Sequence, residues 1–150
     1  MRHRILVVED NPPNRELLSD WLEGEGFEVL CAENLEQSFA AFQIQPPHAV
    51  LLDVQLGRED GLSLAKWIRR DPKLRDLPII AVTAHAMVTD QERVVQAGCD
   101  ACISKPIDFK LLAAQLERRL GHSAKVQGDS RKSAQSLGET GLGSRDGESG

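Results

Sequence analysis

The fold is decided by the segment AVLLDVQLG (residues 49–57), in which an uninterrupted aliphatic run ends on one carboxylate, Asp53. Runs that are apolar at every position are typical of strands buried on both faces of a parallel sheet. A carboxylate at the end of such a strand is costly to bury unless it is paired, bound to a metal or placed at the surface. The segment therefore predicts a buried parallel strand with Asp53 at its carboxyl end, next to other polar groups.

Short apolar runs alternate with helix-like patterns throughout residues 1–120. The predicted strands are Ile5–Val8, Val29–Ala32, Ala49–Leu52, Ile79–Val82 and Ala101–Ile103. Between and after them, apolar residues recur at helical spacing in five stretches. Five alternating strand–helix units predict an α/β fold in which helices cover both faces of a parallel sheet. In such folds the functional site lies at the carboxyl ends of the strands.

Residues that start and stop helices support this assignment. Pro12 suits a first helical turn, and the segment Thr89–Glu92 has the pattern of a capping box, which predicts a helix start at Thr89. Gly98 suits the end of the same helix, and Asp108 can cap the last one.

Composition limits the class of protein. With 41% hydrophobic residues, 27% charged residues and a net charge of −5, the chain has the balance of a globular protein without a basic stripe for nucleic acid. No apolar run is long enough to cross a membrane, and three cysteines without an export signal predict a cytoplasmic protein. Residues 121–150 hold seven Gly and six Ser, which predicts a flexible tail after a single domain at 1–120.

Polar residues stand at the carboxyl ends of four predicted strands: Glu9 and Asp10, then Asp53, Thr83 and Lys105. Each alone is more often a helix cap, a strand residue or a solvated loop residue. Together they predict one cluster. Three acids favour a hard divalent cation such as Mg²⁺, which leaves Asp53 free to attack a phosphoryl group and form an acyl phosphate. Lys105 and Thr83 would then neutralise and hydrogen-bond the phosphoryl oxygens.

The motifs VVEDN (7–11), LLDVQL (51–56), VTAHA (82–86) and SKPI (104–107) closely resemble the receiver domain of bacterial two-component response regulators, of the single-domain, chemotaxis-regulator-like kind. The resemblance covers residues 3–120 and implies a flavodoxin-like, doubly wound five-stranded parallel sheet of order 2-1-3-4-5 with five helices.

The resemblance also implies roles for individual residues. It makes Asp53 the phosphoacceptor, with Thr83 and Lys105 contacting the phosphoryl group. It implies Mg²⁺ ligation by Asp53, by Asp10 and by the backbone carbonyl of Gln55, with Glu9 acting through a metal-bound water. It also implies a cis peptide bond between Lys105 and Pro106.

Two positions depart from the family pattern. Gly57 stands where receivers usually carry Pro, which predicts a more mobile loop at 57–61. Cys102 stands where receivers commonly carry Tyr or Phe, so we do not expect the usual aromatic switch. Cys102 also forms a C-x-x-C with Cys99, for which we expect two small buried hydrophobes rather than a redox pair or a zinc site.

Two classes of function follow. The first is a phosphorylation-controlled switch that receives its phosphoryl group from a sensor histidine kinase or a histidine phosphotransfer protein and signals to a downstream protein. It would be a stand-alone regulator or phosphorelay shuttle, or a piece of a larger hybrid protein. The second is a small phosphatase with an aspartyl nucleophile, although that class usually places another acid where this chain has Gln55. A receiver-like domain that binds partners without phosphorylation is disfavoured by the complete set of acids, hydroxyl and lysine.

Overall fold

The structure is a computed structural model that describes residues 2–84 and 87–121, and the backbone of residues 138–139 and 148–149. It divides into two units, residues 1–120 and 121–150. In the second unit the strands β8 (Gly138–Glu139) and β9 (Glu148–Ser149) pair in parallel. The rest of the predicted tail lies outside the described residues, so its flexibility stays a prediction.

The first unit is built on one parallel sheet of five strands. Its strands are β1 (Arg4–Val8), β2 (Glu28–Ala32), β3 (Ala49–Asp53), β6 (Ile79–Thr83) and β7 (Ala101–Ser104), in the order β2-β1-β3-β6-β7. Two further strands, β4 (Gln55–Leu56) and β5 (Glu59–Asp60), form a separate antiparallel hairpin. Apart from this hairpin, the order is the predicted 2-1-3-4-5, and the flavodoxin-like fold is confirmed.

Five helices connect the strands: α1 (Pro12–Gly24), α2 (Leu35–Ile44), α3 (Leu62–Arg70), α4 (Val88–Ala97) and α5 (Phe109–Leu120). Alternate strand residues face opposite sides of the sheet. On β1, Ile5 and Val7 belong to a core cluster with residues of α1 and α5, whereas Leu6 and Val8 belong to a cluster with residues of α2, α3 and α4. The sheet is therefore doubly wound, and β3 is buried along its whole length, as the opening segment predicts.

Helix ends follow the sequence signals with one exception. The Asn11 side chain accepts a hydrogen bond from the Asn14 backbone N–H at 3.0 Å, and Gly98 ends α4 at a φ of 103°. The predicted start at Thr89 is wrong, because α4 begins at Val88. The Met87 carbonyl already accepts the hydrogen bond of Gln91 N–H at 3.0 Å, which places Thr89 inside the first turn.

Among the described residues, no helix has both the length and the apolar character required to cross a membrane.

Candidate functional site

Three carboxylates meet at the carboxyl edge of the sheet. Glu9 and Asp10 follow β1, and Asp53 ends the neighbouring strand β3. One oxygen from each of the three side chains lies within 4.8 Å of the others. Glu9 and Asp53 are buried, and Asp10 is exposed. Closely spaced carboxylate oxygens are the donors that hard divalent cations prefer, so this set fits Mg²⁺.

Lys105 joins two of these acids. Its Nζ lies 3.1 Å from Glu9 Oε1 and 3.0 Å from Asp53 Oδ2. The residue follows β7, and its peptide bond to Pro106 is cis, as the family resemblance implies. One ammonium group therefore contacts two of the three carboxylates but offsets only one negative charge, which leaves the cluster short of positive charge.

Burial and mutual charge shift the ionisation of these groups. Burial raises the pKa of Glu9, the hydrogen bond from Asn11 N–H lowers it, and the charge of Asp53 raises it again, so that the net direction is upward. Burial alone would lower the pKa of Lys105, but its hydrogen bonds and charge interactions with Asp53 and Glu9 raise it overall. The lysine is therefore held in its charged form between the two acids.

The two remaining predicted site residues lie on the neighbouring segments. Gln55 N–H donates to Asp53 Oδ1 at 3.0 Å, so both oxygens of Asp53 have a partner. Thr83 is buried at the end of β6, where Asp53 pairs with the preceding residue, Val82. The Thr83 carbonyl accepts the backbone N–H of Lys105 at 2.8 Å. The predicted roles of the Gln55 carbonyl in metal binding and of the Thr83 hydroxyl in phosphoryl binding stay predictions.

The loop after Asp53 is a β-hairpin that the sequence reading missed. Gln55 pairs with Asp60 and Leu56 with Glu59, which leaves a two-residue turn that begins at Gly57. Gly57 has a φ of 58°, a value that proline cannot adopt, because its ring fixes φ near −65°. The family's usual proline is thus incompatible with this hairpin. The mobility predicted for the loop remains a prediction.

Gly61 packs directly against the backbone of Asp53. Its N–H donates to the Val54 carbonyl at 2.7 Å, and a Cβ added to it would collide with the carbonyl oxygen of Asp53. The residue has ordinary right-handed helical angles. Glycine is therefore required at this position because there is no room for a Cβ, and not because of its backbone angles.

We expect Gly61→Ala to displace the backbone at Asp53 and to lower the free energy of unfolding by about 1–3 kcal/mol, as overpacking generally does. The rate of labelling by acetyl phosphate should fall at the same time. Gly24→Ala is the matched control, since a Cβ there would have no neighbour within 4 Å. Urea unfolding of both variants measures the difference, and equal stabilities would contradict the close packing at Asp53.

The C-x-x-C cysteines have the character of protonated, inert thiols. Cys99 is buried, and burial raises its pKa from 9.0 to about 12 against the opposing charge of Arg69. Burial also raises the pKa of Cys102, helped by the charge of Asp90. Thiolates are the reactive form, so neither residue is a ready nucleophile or metal ligand near neutral pH. The expectation of a small buried hydrophobe is confirmed for Cys99, and Cys102 is only partly buried.

The cysteines should therefore differ in their rates of alkylation. A pKa of about 12 in place of 9.0 lowers the thiolate fraction of Cys99 at pH 8 about a thousandfold, so iodoacetamide should modify it at least about a hundredfold more slowly than exposed Cys31. The pKa of Cys99 is higher in the folded chain than in the unfolded chain. The contribution of this thiol to the free energy of unfolding is therefore full below pH 9.0 and declines as the pH rises toward 12. Mass spectrometry of timed samples gives the rates, and denatured protein is the control. Comparable rates in the folded state would contradict the burial of Cys99.

Receiver domains are the class of protein that combines an acid cluster, a lysine in contact with two of the acids, and a parallel sheet with this strand order. Residues 5–117 match the family model of the response regulator receiver domain, and the chain therefore belongs to that family of two-component signalling switches. The polar-differentiation response regulator DivK of Brucella anthropi is 38% identical over 121 residues, which cover 81% of this chain and 98% of DivK.

Solved structures agree with the family model. The receiver domain of a sensor histidine kinase from Pseudomonas aeruginosa PAO1, solved with a magnesium ion coordinated in its active-site cleft, is 34% identical with a TM-score of 0.74 and covers 81% of this chain and 100% of its own. A response regulator receiver domain protein from Methanospirillum hungatei JF-1 is 26% identical with a TM-score of 0.74, over 81% of this chain and 95% of its own.

Proposed function

We propose that this chain is a phosphorylation-controlled switch in which Asp53 accepts a phosphoryl group from a phosphohistidine in a Mg²⁺-dependent reaction. The observation that carries the proposal is the position of the Asp53 carboxylate, between the other acids of the cluster and the ammonium group of Lys105. A nucleophile held in this way needs only a cation and an in-line donor, because phosphoryl transfer depends chiefly on positioning and charge neutralisation.

The transfer balances without another reactant. An oxygen of Asp53 forms a bond to phosphorus while the phosphorus–nitrogen bond of the donor breaks, and the electron pair returns to the imidazole. Asp10, Asp53 and the Gln55 carbonyl would hold Mg²⁺, with Glu9 acting through a metal-bound water, and the cation would supply positive charge for the phosphoryl oxygens. Lys105 neutralises a second oxygen.

The residues around the nucleophile fix its orientation before reaction. The Gln55 N–H and Lys105 Nζ hold opposite oxygens of Asp53, which restricts rotation of the carboxylate. Thr83, at the end of the next strand, supplies a hydroxyl for a phosphoryl oxygen. Restricting the nucleophile in advance lowers the entropy that the transfer must lose.

The proposed donor is a sensor histidine kinase or a histidine phosphotransfer protein, and the proposed output is contact with an unidentified downstream protein in the cytoplasm. We assign these roles to the receiver domain at residues 1–120 and no separate activity to residues 121–150. Direct binding of nucleic acid is not part of the proposal, in keeping with the net charge of −5.

The alternative function, an aspartyl phosphatase, would require repeated turnover and not the uptake of a single phosphoryl group. Such an enzyme needs an acid to protonate the leaving group, and the position two residues after the nucleophile holds Gln55, which contacts Asp53 through its backbone N–H. The test is incubation with a phosphorylated histidine kinase and, separately, with p-nitrophenyl phosphate, both with Mg²⁺. The proposed switch takes up at most one phosphoryl group per chain and releases almost no nitrophenol. Sustained release that Asp53→Asn abolishes would favour the phosphatase.

A cavity of about 410 Å³ beside the site suits contact with a protein donor. It is lined mainly by apolar side chains of α1 and of the segment after Lys105, among them Leu17 and Phe109. Leu17 is 56% exposed and lines this cavity together with Glu9 and Lys105. A protein that delivers a phosphoryl group to Asp53 must cover this edge of the domain and would bury the leucine.

We expect Leu17→Ala to slow phosphotransfer from a cognate kinase about tenfold, the usual effect of truncating an apolar anchor. Labelling by acetyl phosphate should be unchanged, because a small donor needs no docking surface. Leu111→Ala is the matched control, since Leu111 is equally exposed at 56% and lies on α5 outside this cavity. If both variants accept phosphoryl groups from the kinase at the same rate, the donor does not use this surface.

A further inference from the structure

A second cavity, of about 310 Å³, lies between the β4–β5 hairpin and α4. Gln55 and Thr83 line it, and both belong to the proposed phosphoryl site. Arg93 of α4 lines it as well, together with Asp60 of the hairpin. Asp53 does not line the cavity itself, but the cavity lies between its neighbours Gln55 and Thr83 and one cationic side chain of α4.

Arg93 is engaged, but weakly. Its Nη2 lies 3.3 Å from Asp60 Oδ2, and the two side chains are 54% and 45% exposed. Exposed ion pairs of this kind contribute little to stability, so the guanidinium can change partner at low cost. Asp60 would keep a role after the exchange, because its Oδ1 accepts the Leu62 N–H at 3.0 Å and holds the start of α3.

We propose that Arg93 is a phosphoryl-binding residue: when Asp53 is phosphorylated, its guanidinium leaves Asp60 and binds the phosphoryl group through the shared cavity. The proposal rests on the proposed function, since it requires a phosphoryl group at Asp53. A phosphoryl group carries about 1.5 to 2 negative charges and three acceptor oxygens, so it competes successfully with a single exposed carboxylate for a guanidinium.

The acids around the cavity attract the Arg93 guanidinium in the unmodified chain, and they also repel a bound phosphoryl group. Two other acids, Glu59 and Asp90, line the cavity. Glu59 Oε1 is occupied by the backbone N–H of Leu35 at 3.0 Å, whereas Asp90 precedes Arg93 by three residues on α4. Acids around a bound anion are repulsive, so a guanidinium that turns toward the anion offsets them. Arg58 also lines the cavity, but it stands in the turn of the hairpin and not on a helix.

The exchange would give α4 a direct link to the phosphorylated site. Arg93 connects α4 to the hairpin in the unmodified chain and would connect it to Asp53 after phosphorylation. The free energy available for shifting α4 is the difference between these two interactions. Such a link needs no large side chain at Cys102.

The test is titration of the full chain with beryllofluoride, a non-covalent phosphoryl analogue, in saturating Mg²⁺, with the backbone amide signals of the site followed by NMR. Arg93→Gln should raise the beryllofluoride concentration at half-saturation about tenfold, which is the effect of losing a charge-assisted hydrogen bond. Asp60→Asn keeps the oxygen that accepts Leu62 N–H and removes the competing charge, so it should tighten binding about twofold to fivefold. The double variant should behave as Arg93→Gln. Arg70→Gln, at an exposed position at the end of α3, controls for the loss of one positive charge.

The signature of exchange is that Asp60→Asn tightens binding only when Arg93 is present, because simple changes of charge near the site would give additive effects in the double variant. Equal affinities of Arg93→Gln and Arg70→Gln would overturn the proposal, and so would an Asp60→Asn affinity at or below that of the wild type. Failure of the wild type itself to bind beryllofluoride would instead contradict the proposed function. In the wild type the Arg93 Nε–Hε signal should shift on saturation, and an unmoved signal would also overturn the exchange.

Discussion

The variant Asp53→Asn is expected to take up no phosphoryl group from acetyl phosphate or from a phosphorylated histidine kinase. The amide keeps the shape of the side chain and an oxygen that can accept the Gln55 N–H, but it removes the nucleophilic carboxylate. The fold should survive, because the substitution also removes one charge from a cluster of three acids. Acid-labile incorporation of labelled phosphate measures the effect, which should be complete.

Asp20→Asn is the control for this variant, since Asp20 is an exposed carboxylate on α1. It should label as the wild type does. Undiminished labelling of Asp53→Asn, with the same lability in acid and base, would assign the phosphoacceptor to another residue.

The second large effect concerns Mg²⁺. The unfolded chain cannot assemble Glu9, Asp10 and Asp53, so Mg²⁺ should stabilise the folded state by mass action, by about 2.7 kcal/mol at a hundredfold excess over its dissociation constant. Asp10→Asn should remove most of this stabilisation and most of the Mg²⁺-dependent labelling. Without Mg²⁺ the same variant should be at least as stable as the wild type, because it relieves repulsion among the acids.

Thermal unfolding at several Mg²⁺ concentrations, at constant ionic strength, provides the measurement. Asp20→Asn should retain the full Mg²⁺ response. A wild-type melting temperature that does not change with Mg²⁺ would exclude the metal site as described.

Local patterns in the sequence predict much of the fold. The apolar runs that predict β1, β3 and β6 are buried on both faces, so any other placement would expose them to water. The convergence of Asp10, Asp53 and Lys105 follows from the same patterns, because the carboxyl ends of parallel strands share one edge of the sheet. The membership of the receiver family was predicted from the resemblance of the four motifs that carry these residues, and it is confirmed by the family match at residues 5–117.

The features that escaped prediction depend on contacts between distant segments. The requirement for Gly61 comes from the carbonyl oxygen of Asp53, eight positions earlier, and the Arg93–Asp60 pair joins residues 33 positions apart. The turn at Gly57 has a local signal, a glycine between Leu56 and Arg58, but two-residue strands are too short to show an alternating pattern. Thr89 matches a capping pattern, but α4 begins at Val88 because the Met87 carbonyl accepts the hydrogen bond of Gln91 N–H.

The central claim is that the carboxylate of Asp53 becomes an acyl phosphate. The most direct measurement treats the phosphorylated protein with borohydride, which reduces an aspartyl phosphate to homoserine, and locates the modified residue by tandem mass spectrometry. We expect homoserine at position 53 alone, only after phosphorylation in the presence of Mg²⁺, and none in Asp53→Asn. Homoserine at another aspartate, or a stable phosphate on a serine, threonine or histidine with Asp53 unmodified, would contradict the account.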